Sequence, residues 1–238
     1  MSGVFAATSA GWWPAELAFA GRENLDAHHV ARYDGKEDAD AADEVALLQE
    51  LGLPADATVL DMGAGTGQLT LAVASACRRV VAVDVSPVML ARLATKVGDA
   101  GISNVEIVRA GFLSYEHSGS AVDVAYSRYA LHHLPDFWKA VALDRLHQWM
   151  KPGGLMRLWD VVYSFDPRDA RDAIEAWCTT GGANPEADWS RAELEEHVRD
   201  EHSTFSWLLE PMFDRAGFSI ERAEYSTDRI FAKYVLRA

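Results

Sequence analysis

Residues Val59 to Gly67 read VLDMGAGTG: a short apolar run ends in an acid and turns into glycines at alternate positions, Gly63, Gly65 and Gly67. Glycine gives up more conformational entropy on ordering than any other residue. Three within five positions therefore mark a backbone that another group must approach closely. A strand, a glycine turn and a following helix build a concave row of N–H groups at a helix N-terminus. A tight strand-to-helix turn without a ligand explains one such glycine far better than three alternating ones behind an acid-ended strand.

The surrounding chain alternates strand-like and helix-like segments from residue 40 to 162. Val45, Leu48 and Leu51 recur at helical spacing before the run 57–60, and residues 69–76 suit a helix after the glycines. RVVAVDV (79–85) is β-branched and apolar, as a buried strand requires. Ser86 is placed to cap a helix through Met89, Leu90, Leu93 and Val97. Strands are expected at 105–108, 122–126 and 155–162, with a helix bearing Trp138, Val141, Ala142, Leu146 and Trp149 that stops at the Lys151-Pro152-Gly153-Gly154 turn. Such alternation predicts an α/β fold with a doubly wound, mostly parallel sheet, whose ligands bind at the carboxyl ends of the strands. The stretches 218–225 and 230–236 are separated by a short polar turn, so the sheet is expected to end in an antiparallel pair. Residues 1–38 and 163–209 stand outside the alternation and hold Trp12, Trp13, Trp177, Trp189 and Trp207. They are expected to be helical caps on a single 238-residue domain, with 40–162 as its cofactor-binding core and 210–238 as its C-terminal strand pair.

Two nucleoside ligands compete for the glycine loop. Dinucleotide enzymes use G-x-G-x-x-G and place an acid at the end of the second strand, about twenty residues on. Asp84 stands in that place, suited to grip a ribose diol, but the pattern here is G-A-G-T-G, with Asp61 two residues before the first glycine. A carboxylate beside the loop repels a pyrophosphate and favours an ammonium group. The expected ligand thus combines a ribose with an amino-acid tail and lacks a diphosphate, which leaves a nicotinamide-dependent oxidoreductase as the weaker alternative.

On VLDMGAGTG, on Asp84 in VVAVDVSPVML and on the KPGG turn, residues 40–160 resemble the class I, seven-strand methyltransferases that use S-adenosylmethionine. The resemblance implies seven strands, the last antiparallel, and S-adenosylmethionine as cofactor with S-adenosylhomocysteine as product. It also implies a cofactor site drawn from Tyr33, Asp61, Gly63, Ala64, Gly65, Gly67, Asp84, Val85, Ser86, Met89, Gly111, Phe112 and Ser127. Many members carry an acid after the third strand for the adenine amino group, whereas this chain has Gly111 in RAGFLSYEH. A protein that binds the cofactor without transferring methyl is the remaining alternative, because function lies in the site rather than the fold.

The methyl acceptor should meet the cofactor after the fourth strand, in DVAYSRYALHHLPD (123–136). No N/D-P-P-Y/F/W motif of base methyltransferases is present there, and a net charge of −14 argues against a nucleic-acid partner. A small-molecule acceptor, apolar or aromatic, is expected to receive the methyl group by in-line displacement. LHHLPD resembles the LHDW-like segment of small-molecule O-methyltransferases whose first histidine is the base, so His132 and then His133 are the catalytic candidates. O-methylation is favoured over N or C. No metal site is expected, and a cluster made with His28 and His29 lacks supporting spacing. Cys77 and Cys178 form no disulfide framework, and no stretch of the sequence reads as a membrane span or secretion signal, so a cytoplasmic monomer or homodimer is expected.

Overall fold

A computed structural model describes residues 11–37, 40–184 and 188–238, so part of the N-terminal cap lies outside the described residues. Helices α1 (Arg22–Leu25), α2 (Ala27–Lys36) and α3 (Ala41–Glu50) precede strand β1 (Thr58–Met62). Then come α4 (Gln68–Val73), β2 (Arg79–Asp84), α5 (Pro87–Asp99), β3 (Val105–Arg109), β4 (Val122–Arg128), α6 (Asp136–Trp149) and β5 (Met150–Tyr163). Helices α7 (Ala170–Thr179) and α8 (Arg191–Asp200), the short β6 (Thr204–Phe205) and α9 (Ser206–Ala216) lead to β7 (Ser219–Tyr225) and β8 (Phe231–Arg237).

The strands form one sheet in the order β3-β2-β1-β4-β5-β8-β7, with β6 paired to the end of β5. Strands β1 to β5 run parallel, and β8 is antiparallel to both β5 and β7. The order reverses between β1 and β4, which opens a crevice at their carboxyl ends. Successive residues of β1 face opposite sides of the sheet. Leu60 and Met62 join Val81, Val83 and Met156 beneath α6 and α9, while Val59 joins Val80, Val124 and Leu155 beneath α3 and α4. Ser86 caps α5 as expected, accepting from Met89 N at 3.2 Å. Among the described residues, no helix is long and apolar enough to cross a membrane.

Two expectations need correction. Lys151 to Gly154 is no free turn but lies inside β5, where the β4 pairing jumps from Val122–Met150 to Val124–Leu155. Ala238 pins this bulge: Gly153 N donates to Ala238 O at 2.7 Å and Ala238 N to Gly154 O at 3.0 Å. The C-terminal stretch also begins with helix rather than strand. Pro211 reads as a breaker, yet it lies inside α9, whose Leu209 and Phe213 are buried against the sheet. Burial of one helix face there outweighs the lost backbone hydrogen bond.

The caps have a small core of their own. Trp177, Cys178 and Leu194 from α7 and α8 pack on Val161, Tyr163, Phe165 and Ile230 at the far end of β5. Trp12 and Trp207 remain largely exposed. Both cysteines are free and buried.

A buried ion pair ties α3 to the central sheet. Arg157 donates from Nε to Glu44 Oε2 at 2.8 Å and from a terminal nitrogen to Glu44 Oε1 at 2.7 Å, with both residues almost fully enclosed. Removing one partner strands a buried charge, so Glu44→Ala is expected to lower stability by about 3–5 kcal/mol. The double replacement Glu44→Leu with Arg157→Met should recover most of that loss in urea unfolding.

Candidate functional site

The glycine loop occupies the reversal point, and its three glycines serve different ends. All have positive φ, at 75°, 53° and 84° for Gly63, Gly65 and Gly67. A Cβ on Gly63 would stand 2.2 Å from the Ala130 Cβ, and one on Gly67 would stand 2.1 Å from Leu93 Cδ1. These two glycines let the β4 loop and α5 pack against the turn. Only at Gly65 is the space open, with Met89 Sδ the nearest atom at 4.0 Å. Gly67→Ala should therefore cost about 1–3 kcal/mol through displacement of the buried Leu93, and more than Gly65→Ala, as parallel thermal melts would show.

Asp84 ties this loop to the next turn. Its Oδ2 accepts from Gly65 N at 2.8 Å and its Oδ1 from Ser86 N at 2.7 Å. Burial raises its carboxyl above the usual range. Asp61 lies on the face of β1 turned toward α4, where Thr70 Oγ1 donates to it at 2.6 Å. Burial pushes Asp61 up to about 6, against the Thr70 hydrogen bond and with the charge of Asp84 adding to the rise. A carboxyl raised on folding from 3.8 to about 6 holds its proton longer in the native state. Its contribution to stability is thus lost as pH rises through that interval. The stability of Asp61→Asn relative to the native protein should grow between pH 4 and pH 6 and level off above about pH 7, as measured by unfolding across pH.

A narrow cleft of about 80 Å³ opens at the loop, lined by Tyr33, Gly63, Gly65, Asp84, Val85, Ser86, Met89, Gly111, Phe112 and His133 among others. Asp61, Ala64, Gly67 and Ser127 of the expected set do not line it. Ser127 lies buried at the end of β4, with its Oγ lacking a hydrogen-bond partner among the described residues. The N-terminal segment closes the cleft, and sequence reading missed its part in the site. Glu16 Oε1 accepts from Leu113 N at 2.9 Å and its Oε2 from Ser114 Oγ at 2.6 Å. Gly111 is needed there, since a Cβ would come within 2.4 Å of the Glu16 carboxylate. Asp34 of α2 accepts from Thr66 Oγ1 in the loop and pairs with Lys96 of α5, which fixes Tyr33 beside the cleft.

The second cavity is large, about 1160 Å³, and lies between α2, the turn after β4 and helices α7 and α8. Its walls combine Tyr129, Trp177, Trp189 and Phe231 with charged and imidazole side chains. His132 is enclosed there between two carboxylates, bonding Asp160 through Nδ1 and approaching Glu201 at 2.8 Å through Nε2. Burial alone would depress this imidazole, but Asp160 and Glu201 outweigh it and push it up to about 10. His133, beside it, is pushed down to about 3 by burial and by the charge of His132. Asp160 and Glu201 were not singled out from sequence. The i,i+4 pair His197 and Glu201 was a legible clue, because that spacing puts both side chains on one helical face.

Comparison with known proteins agrees with this geometry. Residues 59–154 match a family model described as a methyltransferase domain. An uncharacterized methyltransferase of Geobacillus kaustophilus is 28% identical over 178 residues, which is 75% of this chain and 76% of that one. The chain is thus similar to class I methyltransferases. The match decides for methyl transfer over nicotinamide chemistry. Among solved structures, the chain resembles in fold magnesium protoporphyrin IX methyltransferase from Synechocystis with bound S-adenosylmethionine, at a TM-score of 0.64 and 13% identity over 96% of this chain and 99% of that one. It also shares its fold with the [4+2]-cyclase SpnF, at a TM-score of 0.63 and 18% identity over 82% of this chain and 80% of that one.

Proposed function

We propose that this methyltransferase moves the methyl group of S-adenosylmethionine onto a hydroxyl of a small aromatic molecule. The observation that carries the reading is a junction. Asn24, Tyr33, Tyr129 and His133 line both the cleft at the glycine loop and the large cavity, so a donor in one meets an acceptor in the other there. In this reading the N-terminal helices and the 163–209 segment cap a single catalytic unit.

S-adenosylmethionine, when bound, supplies a methyl carbon already activated by a sulfonium. The protein's share is then to orient the partners and exclude water, which is worth on the order of 7–11 kcal/mol. Asp84 suits the ribose, because each carboxylate oxygen accepts one backbone N–H and keeps a lone pair for a hydroxyl. Val85, Met89 and Phe112 offer an apolar bed for the base. Glu16 brings to Gly111 the carboxylate that the third strand lacks. The unpartnered Ser127 Oγ can serve the amino-acid tail. Asp61 supports the loop from behind through Thr70.

Aromatic walls in the large cavity support a ring-bearing acceptor. His133, held neutral at the junction with its Nδ1 unpartnered among the described residues, can accept a hydrogen bond from a hydroxyl and so supports a hydroxyl acceptor.

Calorimetry with S-adenosylhomocysteine and a panel of phenolic acceptors tests the proposal. Saturable binding is expected, weakened about tenfold or more by Asp84→Asn. His133→Ala should lower kcat about 10²-fold or more while leaving S-adenosylhomocysteine affinity close to native. Binding without methyl transfer to any hydroxyl would reduce the protein to a cofactor binder.

A further inference from the structure

The histidine pair does not stand alone in the large cavity. His132 and His133 sit on the turn after β4, and Glu201 follows α8, so two distant parts of the chain aim donors at one point. One donor atom from each of His132, His133 and Glu201 lies within 4.8 Å of the other two. Glu201 Oε2 is 2.8 Å from His132 Nε2, 3.7 Å from His133 Nδ1 and 2.7 Å from His197 Nδ1. Neither this oxygen nor His133 Nδ1 has an aligned hydrogen bond among the described residues, although both are buried. A buried nitrogen left without a partner, as His133 Nδ1 is, costs about 1–3 kcal/mol.

The outward nitrogens, by contrast, are all held. His132 Nδ1 bonds the Asp160 carboxylate, His197 Nε2 lies 2.9 Å from Ser203 Oγ, and His133 Nε2 lies 3.4 Å from the Asn24 side-chain amide. Histidines that ligate a metal ordinarily fix their second nitrogen in this way, often on a carboxylate. The Glu201 backbone is also pinned to the pair. His202 N donates to His132 O at 3.1 Å, Lys139 Nζ donates to His202 O, and Thr204 Oγ1 donates to Asp136 at 3.1 Å.

From this convergence we propose that His132, His133 and Glu201 bind one divalent transition-metal cation of the zinc type. Two imidazoles and one carboxylate suit that class of ion and leave a position open to a further oxygen. Ligands at about 2.0–2.2 Å from one ion stand roughly 3 Å or more apart. Glu201 therefore needs to draw back from His132 by only a few tenths of an ångström.

The use of the site rests on the methyl-transfer reading above. The open position takes the acceptor's hydroxyl oxygen, and the cation lowers the pKa of that hydroxyl as it does for bound water. The proton passes to water, the oxygen's electron pair forms the new O–C bond, and the C–S bond breaks with its pair left on sulfur. His132 and His133 then assist as ligands rather than as bases, and Asp160 and His197 are positioning residues.

Chelator-treated protein dialysed against Zn²⁺, with bound metal counted, tests the site. One equivalent per chain is expected, with affinity lowered at least about tenfold in Glu201→Gln and in His133→Ala. His28→Ala, at an exposed position of the same cavity, should retain native affinity. Circular dichroism checks folding, and His133→Asn replaces any variant that fails to fold. Absence of saturable Zn²⁺ binding, or binding that survives both ligand changes, overturns the site. S-adenosylhomocysteine calorimetry on the same samples separates the two proposals. Cofactor binding without zinc removes the metal site alone, and zinc without cofactor binding removes only the methyl-transfer reading.

Discussion

The close approach of the loops after β1 and β4 governs this molecule. Where the strand order reverses, two chain segments leave the sheet side by side, and the 2.2 Å between Ala130 and a hypothetical Gly63 side chain shows how little room is left. Gly67 repeats the constraint against Leu93. A backbone able to hold left-handed φ here lets the sheet twist, the loop close and a cleft remain at Gly65. Two of the glycines thus serve packing, and Gly65 leaves open space beside the cleft.

Polar contacts tie the segments around the cleft together, alongside the apolar packing of Phe112, Ala130 and Leu134. Asp84 holds Gly65 and Ser86, Asp34 holds Thr66 and Lys96, and Glu16 holds Leu113 and Ser114. Contacts of this kind are specific in direction and modest in net energy. The N-terminal cap adds Trp13 and Phe19 to the main core, and the second cap has its own cluster around Trp177.

Charge burial follows one rule on both sides of the sheet: a buried ion is held by a matched partner. Arg157 and Glu44 form a two-toothed pair that joins α3 to β5, and Lys139 is enclosed with Asp136 and a backbone carbonyl. The histidine cluster departs from it. His132 is bracketed by Asp160 and Glu201, but His133 Nδ1 remains without a hydrogen-bond partner among the described residues in a wall of the large cavity. Imbalance placed beside a cavity rather than within the core is what gives that wall chemical potential.

Local patterning in the sequence determined the parallel strands, the glycine turn, the Ser86 cap and the acid ending β2, because each depends on residues a few positions apart. Strand periodicity and helix capping are short-range effects, so they survive in a linear reading. Tertiary structure alone decided that Pro211 sits within a helix, that the Lys151 to Gly154 stretch is a bulge, and that Glu16 fills the space beside Gly111. It alone brought Asp160 and Glu201 to His132, across 28 and 69 positions of chain. Those outcomes turn on burial and on charge meeting charge across long separations, where folding sets the distances and sequence spacing carries no information about them.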